Sequence, residues 1–191
     1  MQRPDEAKRR QIMDAAARLF ANHEFHEVRL EDVAEAAKVG KGTLYVYFAS
    51  KDALYLALIR EAFGELLQVA VSGVSHGRDV WDQLRTVVRG VIRFGMAYPD
   101  LFRVMRRALP GPEDPAIQEM RCKLTSAIEE ILKEGNRSGL INDPHPEITS
   151  QFFLSFIRGV LMYPPAGMTA EVLEEHMLRV VRSGIGKEAR R

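Results

Sequence analysis

Residues 30–51, LEDVAEAAKVGKGTLYVYFASK, decide how the chain is read. They parse as two short helices around a tight turn. Leu30, Val33, Ala34 and Ala37 recur at three- and four-residue spacing, which makes one apolar face of a helix. That pattern breaks at Lys38-Val39-Gly40, where the glycine is expected to take a backbone conformation that a side chain resists. A second helix fits Lys41 to Phe48. Leu44 and Phe48, one turn apart, point back at the first helix and leave Lys41, Thr43, Tyr45 and Tyr47 freer to face outward. Alanines at 34, 36 and 37 permit the close helix approach of a helix-turn-helix. Its second helix offers a cation, a hydroxyl and two phenols, groups suited to phosphates and base edges.

Gly42-Thr43-Leu44-Tyr45, Tyr47-Phe48 and Ser50-Lys51-Asp52, with Leu54 opening the next helix, carry a resemblance. Upstream, Ala15-Ala16, Leu19-Phe20 and Asp32-Val33-Ala34 fit it too. From about Arg9 to Leu58 the chain resembles the amino-terminal DNA-binding domain of the TetR family of bacterial transcriptional regulators. Three positions depart from the family's habit. Lys38 stands where Gly is usual, Gly40 where Ser or Thr is common, and Val28 where a Thr often caps the second helix. Arg29 is placed to substitute for the phosphate contact which that Thr would make. The resemblance implies that Lys41, Gly42 and Thr43 lie close to bases, with Gly42 allowing close backbone approach. It also implies that Tyr45, Tyr47 and Lys51 hold phosphates, Lys51 at a helix start where the dipole favours an anion. For Tyr47 the competing role is packing beside Phe48.

Composition agrees without deciding anything. A chain of 191 residues suits one domain or two small ones and can bury a core. The formal net charge of +1 says little about partners. Basic residues are instead unevenly placed: Lys38, Lys41 and Lys51 sit in a run from Ala36 to Lys51 that holds no acid, a local patch sufficient for phosphates. The single cysteine, Cys122, excludes an intramolecular disulfide and fits a reducing cytoplasm. No basic-then-apolar leader opens the chain, and no apolar run reaches the eighteen or so residues of a membrane span. A soluble cytoplasmic protein without membrane association is the expectation.

Almost everything else reads as helix, and the fold class is all-α. Asp5–Asn22 places Ile12, Ala15, Ala16, Leu19 and Phe20 on one face, with Lys8, Arg9 and Arg10 on a solvated one. Ser50 caps a helix running to about Val71, a rod of roughly 30 Å. Further helices are expected over Asp79–Ala97, Asp100–Ala108, Pro115–Arg137, Pro146–Tyr163 and Thr169–Ser183. Breakers separate them: Gly73 to Gly77, Pro99, Pro110-Gly111-Pro112, Pro144 with Pro146, and Pro164-Pro165. No period-2 run of β-branched residues calls for a strand.

Two domains are expected, a helix-turn-helix domain over residues 1–50 and a helical effector-binding and dimerisation domain over 51–191. In the second, Phe63, Leu66, Trp81, Val88, Ile92 and Phe102 are candidates to line a cavity, together with Met105, Met120, Leu124 and Phe156. Arg89 flanks the apolar stripe and is a candidate for an anionic head group on an otherwise hydrophobic ligand. Phe152, Phe156, Val160 and Tyr163 make one stripe of a late helix, while Phe153, Ile157 and Leu161 make a neighbouring one. An arc that wide suits burial on two sides, either against its own domain and a second subunit or as the central helix of a monomeric bundle. With Leu173, Met177 and Val180 it is a candidate dimer interface, and the family resemblance implies a homodimer built on its last two helices.

No metal, cofactor or catalytic site is expected. His23 and His26 lack further ligands nearby, and His76, His145 and His176 are scattered. Gly40-Lys41-Gly42-Thr43 fails the phosphate-loop pattern, which needs Ser or Thr directly after Lys. The expected function is a dimeric regulator of palindromic double-stranded DNA, a repressor released by a small hydrophobic effector. The alternative is a helix-turn-helix dimer without an effector, acting architecturally or with a protein partner.

Overall fold

The computed structural model describes residues 5–72, 74, 79–107 and 114–186, without the side chains of Arg106 and Arg107. Breakers expected at Gly73, Gly77 and Pro110-Gly111-Pro112, the helix end at Ala108 and His76 lie outside these residues. Among the described residues there are nine helices: α1 Glu6–Asn22, α2 Leu30–Ala36, α3 Lys41–Tyr47, α4 Lys51–Val71, α5 Val80–Ala97, α6 Pro99–Arg107, α7 Pro115–Arg137, α8 Pro146–Met162 and α9 Ala170–Ile185. The all-α expectation holds. The nearest thing to a strand is one bridge between Ile141 and Gly186.

Helix starts follow from side-chain oxygens that accept from orphan backbone N–H groups. Asp5 accepts from the Ala7 N–H at 2.9 Å, Ser50 from Ala53 at 3.1 Å, Asp79 from Trp81 at 2.8 Å, and Thr169 from Val172 at 3.3 Å. Pro99, read as a separator, instead opens α6, where its missing N–H costs nothing and its fixed φ suits the first turn.

The chain divides into two compact units, residues 1–63 with 98–114 and residues 64–97 with 115–191. In the first unit α1 packs against α2 and α6, and α2 against α3. Ile12, Ala15, Ala16 and Phe20 of α1 are buried with Val33, Leu44, Leu54 and Leu58. Phe20 stacks on Phe25 and Tyr55 meets both rings edge to face, with centroids 5.0–5.8 Å apart. Arg60 forks onto the buried Asp114 carboxylate, with Nε 3.2 Å from Oδ1. Arg103 of α6 donates to the Asn22 side-chain oxygen at 3.1 Å.

In the second unit α5 packs against α7, α8 and α9, and α7 against α8. Leu84, Ile92, Phe94, Ile128, Leu132 and Phe153 are fully buried there. Gly90 is what allows α4 and α5 to meet: a Cβ there would lie 2.6 Å from Ala70 Cα and 2.7 Å from the Val69 oxygen. Between α5 and α9 the Glu174 carboxylate accepts from Arg89 Nε and NH2, both at 2.9 Å, and from Arg85 at 3.1 Å. Burial pushes this carboxyl up, but hydrogen bonds and charge from Arg89 and Arg85 outweigh it and hold Glu174 below its ordinary range.

Candidate nucleic-acid interface

Residues 30–48 fold as the two-helix unit that their spacing requires. Leu30, Val33, Ala34 and Ala37 are buried on one side, and Leu44 and Phe48 on the other. The turn is closed by backbone bonds of 2.9 Å from Lys38 N to Glu35 O and from Val39 N to Ala34 O. One expectation needs correcting. The left-handed residue of the turn is Lys38, with φ 51°, whereas Gly40 is extended at φ −67° and is the N-cap of α3. At Lys38 the family's usual glycine is replaced by a residue whose Cβ resists that conformation, so the strain falls on Lys38.

The outer face of α3 carries Lys41, Gly42, Tyr45 and Val46, all exposed, with Thr43 and Tyr47 half-buried. A Cβ added at Gly42 would meet nothing within 4 Å, so no packing inside the protein demands glycine there. Val46, 71% exposed, escaped the sequence reading. Its signal was available, since it lies four residues after Gly42 on the same face.

Three of the expected cations and phenols already have partners. Lys41 Nζ lies 2.5 Å from Glu31 of α2. Lys51 donates to the Phe25 carbonyl at 2.7 Å, with its ammonium 4.4 Å from the Phe25 ring centre. The Tyr47 hydroxyl accepts from the Asp5 N–H at 2.8 Å and donates to the Asp5 carbonyl at 3.2 Å, tying the end of α3 to the start of α1. Arg29 is the N-cap of α2, its backbone N–H donating to Asp32 at 2.9 Å. Arg9 NH1 donates to both Glu61 carboxylate oxygens at 2.9 Å and its guanidinium lies over the Phe48 ring, rather than on the solvated face expected of Lys8, Arg9 and Arg10.

The effector candidates fall into both units. Phe63, Phe102 and Met105 belong to the first; Leu66, Trp81, Val88, Arg89, Ile92, Met120, Leu124 and Phe156 belong to the second. Within the second, Leu66, Val88, Ile92 and Leu124 are buried. Arg89 is committed to Glu174. Trp81 lines an open groove of about 280 Å³ with Arg85, Glu175, Leu178, Arg179 and Arg182, its ring 5.3 Å from the Arg182 guanidinium carbon.

The two stripes of α8 part company. Phe153 and Ile157 are buried in their own unit, as are Leu173 and Met177 of α9. Phe152 and Val180 are exposed, with Phe156 and Val160 half-buried. Tyr163 of the same stripe is exposed as well, and Ile148 and Val172, not among the interface candidates, are further exposed apolar residues. Gly159 of α8 has open space where a Cβ would stand. No helix among the described residues is long and apolar enough to cross a membrane, and none of their His, Cys, Asp and Glu side chains cluster to hold a metal.

A model for bacterial regulatory proteins of the tetR family matches residues 12–58, and one for the tetracyclin repressor-like C-terminal domain matches residues 77–185. The HTH-type transcriptional regulator RutR of Escherichia coli O157:H7 is 30% identical over 127 residues, 65% of this chain and 58% of RutR. The match therefore spans little more than half the length of that relative. Among solved structures, a tetR-family regulatory protein from Rhodococcus RHA1 has a TM-score of 0.87 at 16% identity, covering 95% of this chain and 98% of its own. AibR in complex with isovaleryl coenzyme A and operator DNA has a TM-score of 0.81 at 19% identity, covering 91% and 97%. At these identities the likeness is one of fold.

Proposed function

The chain belongs to the tetR family of bacterial regulatory proteins, and we propose that it is a cytoplasmic, homodimeric repressor released from a palindromic operator by a small hydrophobic molecule. One observation carries the reading: α3 rests on a single buried side chain, Leu44, and leaves Lys41, Gly42, Tyr45 and Val46 exposed. Lys41, Gly42 and Thr43 would meet base edges, with Val46 suited to a thymine methyl. Tyr45, Lys51 and Arg29 take phosphates, which position the helix rather than specify sequence. Tyr47 reaches a phosphate only by giving up its bond to the Asp5 carbonyl.

Residues 1–50 form the DNA-binding domain in this reading, and residues 51–191 bind the effector and dimerise. Exposed Phe152 and Val180, with Phe156 and Val160, support a twofold interface on α8 and α9. Two such subunits present two α3 helices to the half-sites of a palindrome. The buried apolar candidates Leu66, Val88, Ile92 and Leu124 favour a hydrophobic effector. The AibR complex, with an acyl coenzyme A and operator DNA, offers a precedent in a protein of the same fold.

Footprinting across the chain's own promoter region, with sedimentation of the free protein, tests the reading. A protected palindrome and a dimer at micromolar concentration are expected. No protected palindrome, or a monomer, overturns it. For the effector, a compound found by thermal shift must weaken operator binding, and operator must weaken its binding by the same factor, about 5–150-fold for a coupling of 1–3 kcal/mol. A bound compound that leaves operator affinity unchanged favours the effector-free dimer.

A further inference from the structure

Lys41 is the only cation in the α3 sequence, and it stands at the exposed start of that helix. Its ammonium lies 2.5 Å from the Glu31 carboxylate of α2, with the two side chains 63% and 51% exposed. The neighbouring acid Asp32 is committed elsewhere, accepting from the Arg29 N–H to cap α2. Glu31 sits in the first turn of α2, where the dipole favours a carboxylate, but the dipole does not require that carboxylate to reach across to α3. The hydrogen bond to Lys41 holds Glu31 below its usual range, and the same bond raises Lys41.

We propose that Glu31 is an internal stand-in for a DNA phosphate, occupying Lys41 in the free protein and setting the affinity and salt dependence of duplex binding. This rests on the reading of α3 as the DNA-facing helix, and it concerns duplex of any sequence, on which Lys41 meets phosphates rather than the base edges it reads in the operator. An exposed ion pair is screened by water and salt and is weak enough to yield to a phosphate. Duplex DNA offers one charge about every 1.7 Å along its axis, and a lysine that neutralises a phosphate releases a condensed counterion. Here the exchange has a second half. When Lys41 turns to DNA, Glu31 is left beside a polyanion and takes up a cation from solution. Net cation release at this contact is reduced, and with it the salt slope. Removing the carboxylate leaves Lys41 free in advance.

The test uses the full chain and a fluorescein-labelled duplex of mixed sequence, titrated by anisotropy at several KCl concentrations. Wild type is compared with Glu31→Gln, Glu31→Asp, Lys41→Gln and the double variant Glu31→Gln/Lys41→Gln. Glu35→Gln on the same helix controls for the loss of any acid. Glu31→Gln is expected to bind about two- to fivefold tighter at low salt, the range an exposed pair allows, with a slope steeper by up to about 0.9. Glu31→Asp, one methylene shorter, falls between it and wild type. Glu35→Gln gains less and keeps the wild-type slope. In the Lys41→Gln background the effect of Glu31→Gln falls to that of the control. A Glu31→Gln gain no larger than the control's, or one that survives without Lys41, overturns the proposal. So does weaker binding, which would make the pair a brace for α3. A wild-type chain that binds no duplex at any salt defeats the DNA reading itself, and this inference with it.

Discussion

Of the seven residues of α3 only Leu44 is buried, whereas nine of the eighteen in α5 are. The two glycines at the middle of this contrast make it concrete. Gly90 of α5 is pressed against the α4 backbone and has no room for a methyl group, while Gly42 of α3 faces open space. A helix that builds a core gives its surface to its own chain. A helix held by one anchor keeps its surface for something else, and is fixed mainly by its ends: Gly40 at its start, Phe48 and the Tyr47–Asp5 bonds at its finish.

The largest expected effect lies on α8, where the same contrast falls between adjacent residues. Phe153→Ala is expected to cost about 3–5 kcal/mol in urea unfolding, because a fully buried ring leaves a cavity. Phe152→Ala, at a position 63% exposed, should cost the monomer little and instead raise the dimer dissociation constant measured by sedimentation. Equal stability losses at the two positions would erase the distinction between inner and outer stripes.

Next come the glycines. Gly90→Ala should destabilise by about 1–3 kcal/mol, since the obstructing atoms are backbone and cannot swing aside. Gly42→Ala should leave stability unchanged or raise it by up to about 1 kcal/mol, alanine being the better helix former. Its cost should appear in duplex affinity alone. A Gly42→Ala variant with wild-type DNA binding would remove the reason for a glycine on that face.

Glu174→Gln probes the joint between α5 and α9 and is expected to cost about 1–2 kcal/mol at pH 7, less than a fully buried pair because Arg85 and Arg89 are half exposed. The folded carboxyl lies below its unfolded value, so its contribution is complete above about pH 4.3 and is lost as pH falls through the folded value. Melts of wild type and variant should therefore differ at pH 7 and converge in acid. A gap that persists in acid would assign the effect to packing.

The smallest effect is a gain. Lys38→Gly relieves a left-handed lysine that costs roughly 1–2 kcal/mol, offset by roughly 0.5–1 kcal/mol of glycine's own entropy. A rise in stability of about 0.5–1 kcal/mol is expected, read by thermal melting. A loss would mean that the lysine side chain supports the turn.

That lysine marks where reading the chain ran out. The turn between α2 and α3 was legible from the break in the apolar pattern, but which residue took the left-handed conformation was not. A glycine two positions later drew the expectation, while hydrogen bonds to Glu35 and Ala34 put φ 51° on Lys38. Likewise the period of α8 revealed two apolar stripes without saying which was inside. Both stripes are chemically alike, and only the arrival of α5 and α7 decides that Phe153 is core.

By itself the sequence determined the helices, their Ser50 cap and the two-helix unit at 30–48, because these rest on bonds and spacings within a few residues. It also identified Lys41 and Tyr45 as outward-facing, since a 3.6-residue period assigns faces before any packing occurs, whereas Thr43 and Tyr47, read the same way, are half-buried. Tertiary structure alone decided the rest: α6 docked on α1, Gly90 against Ala70, Lys41 held by Glu31, and Glu174 clamped by arginines 85 and 89 residues away. Each is a meeting of surfaces brought together by chain reversal, and nothing in local periodicity says which surfaces will meet.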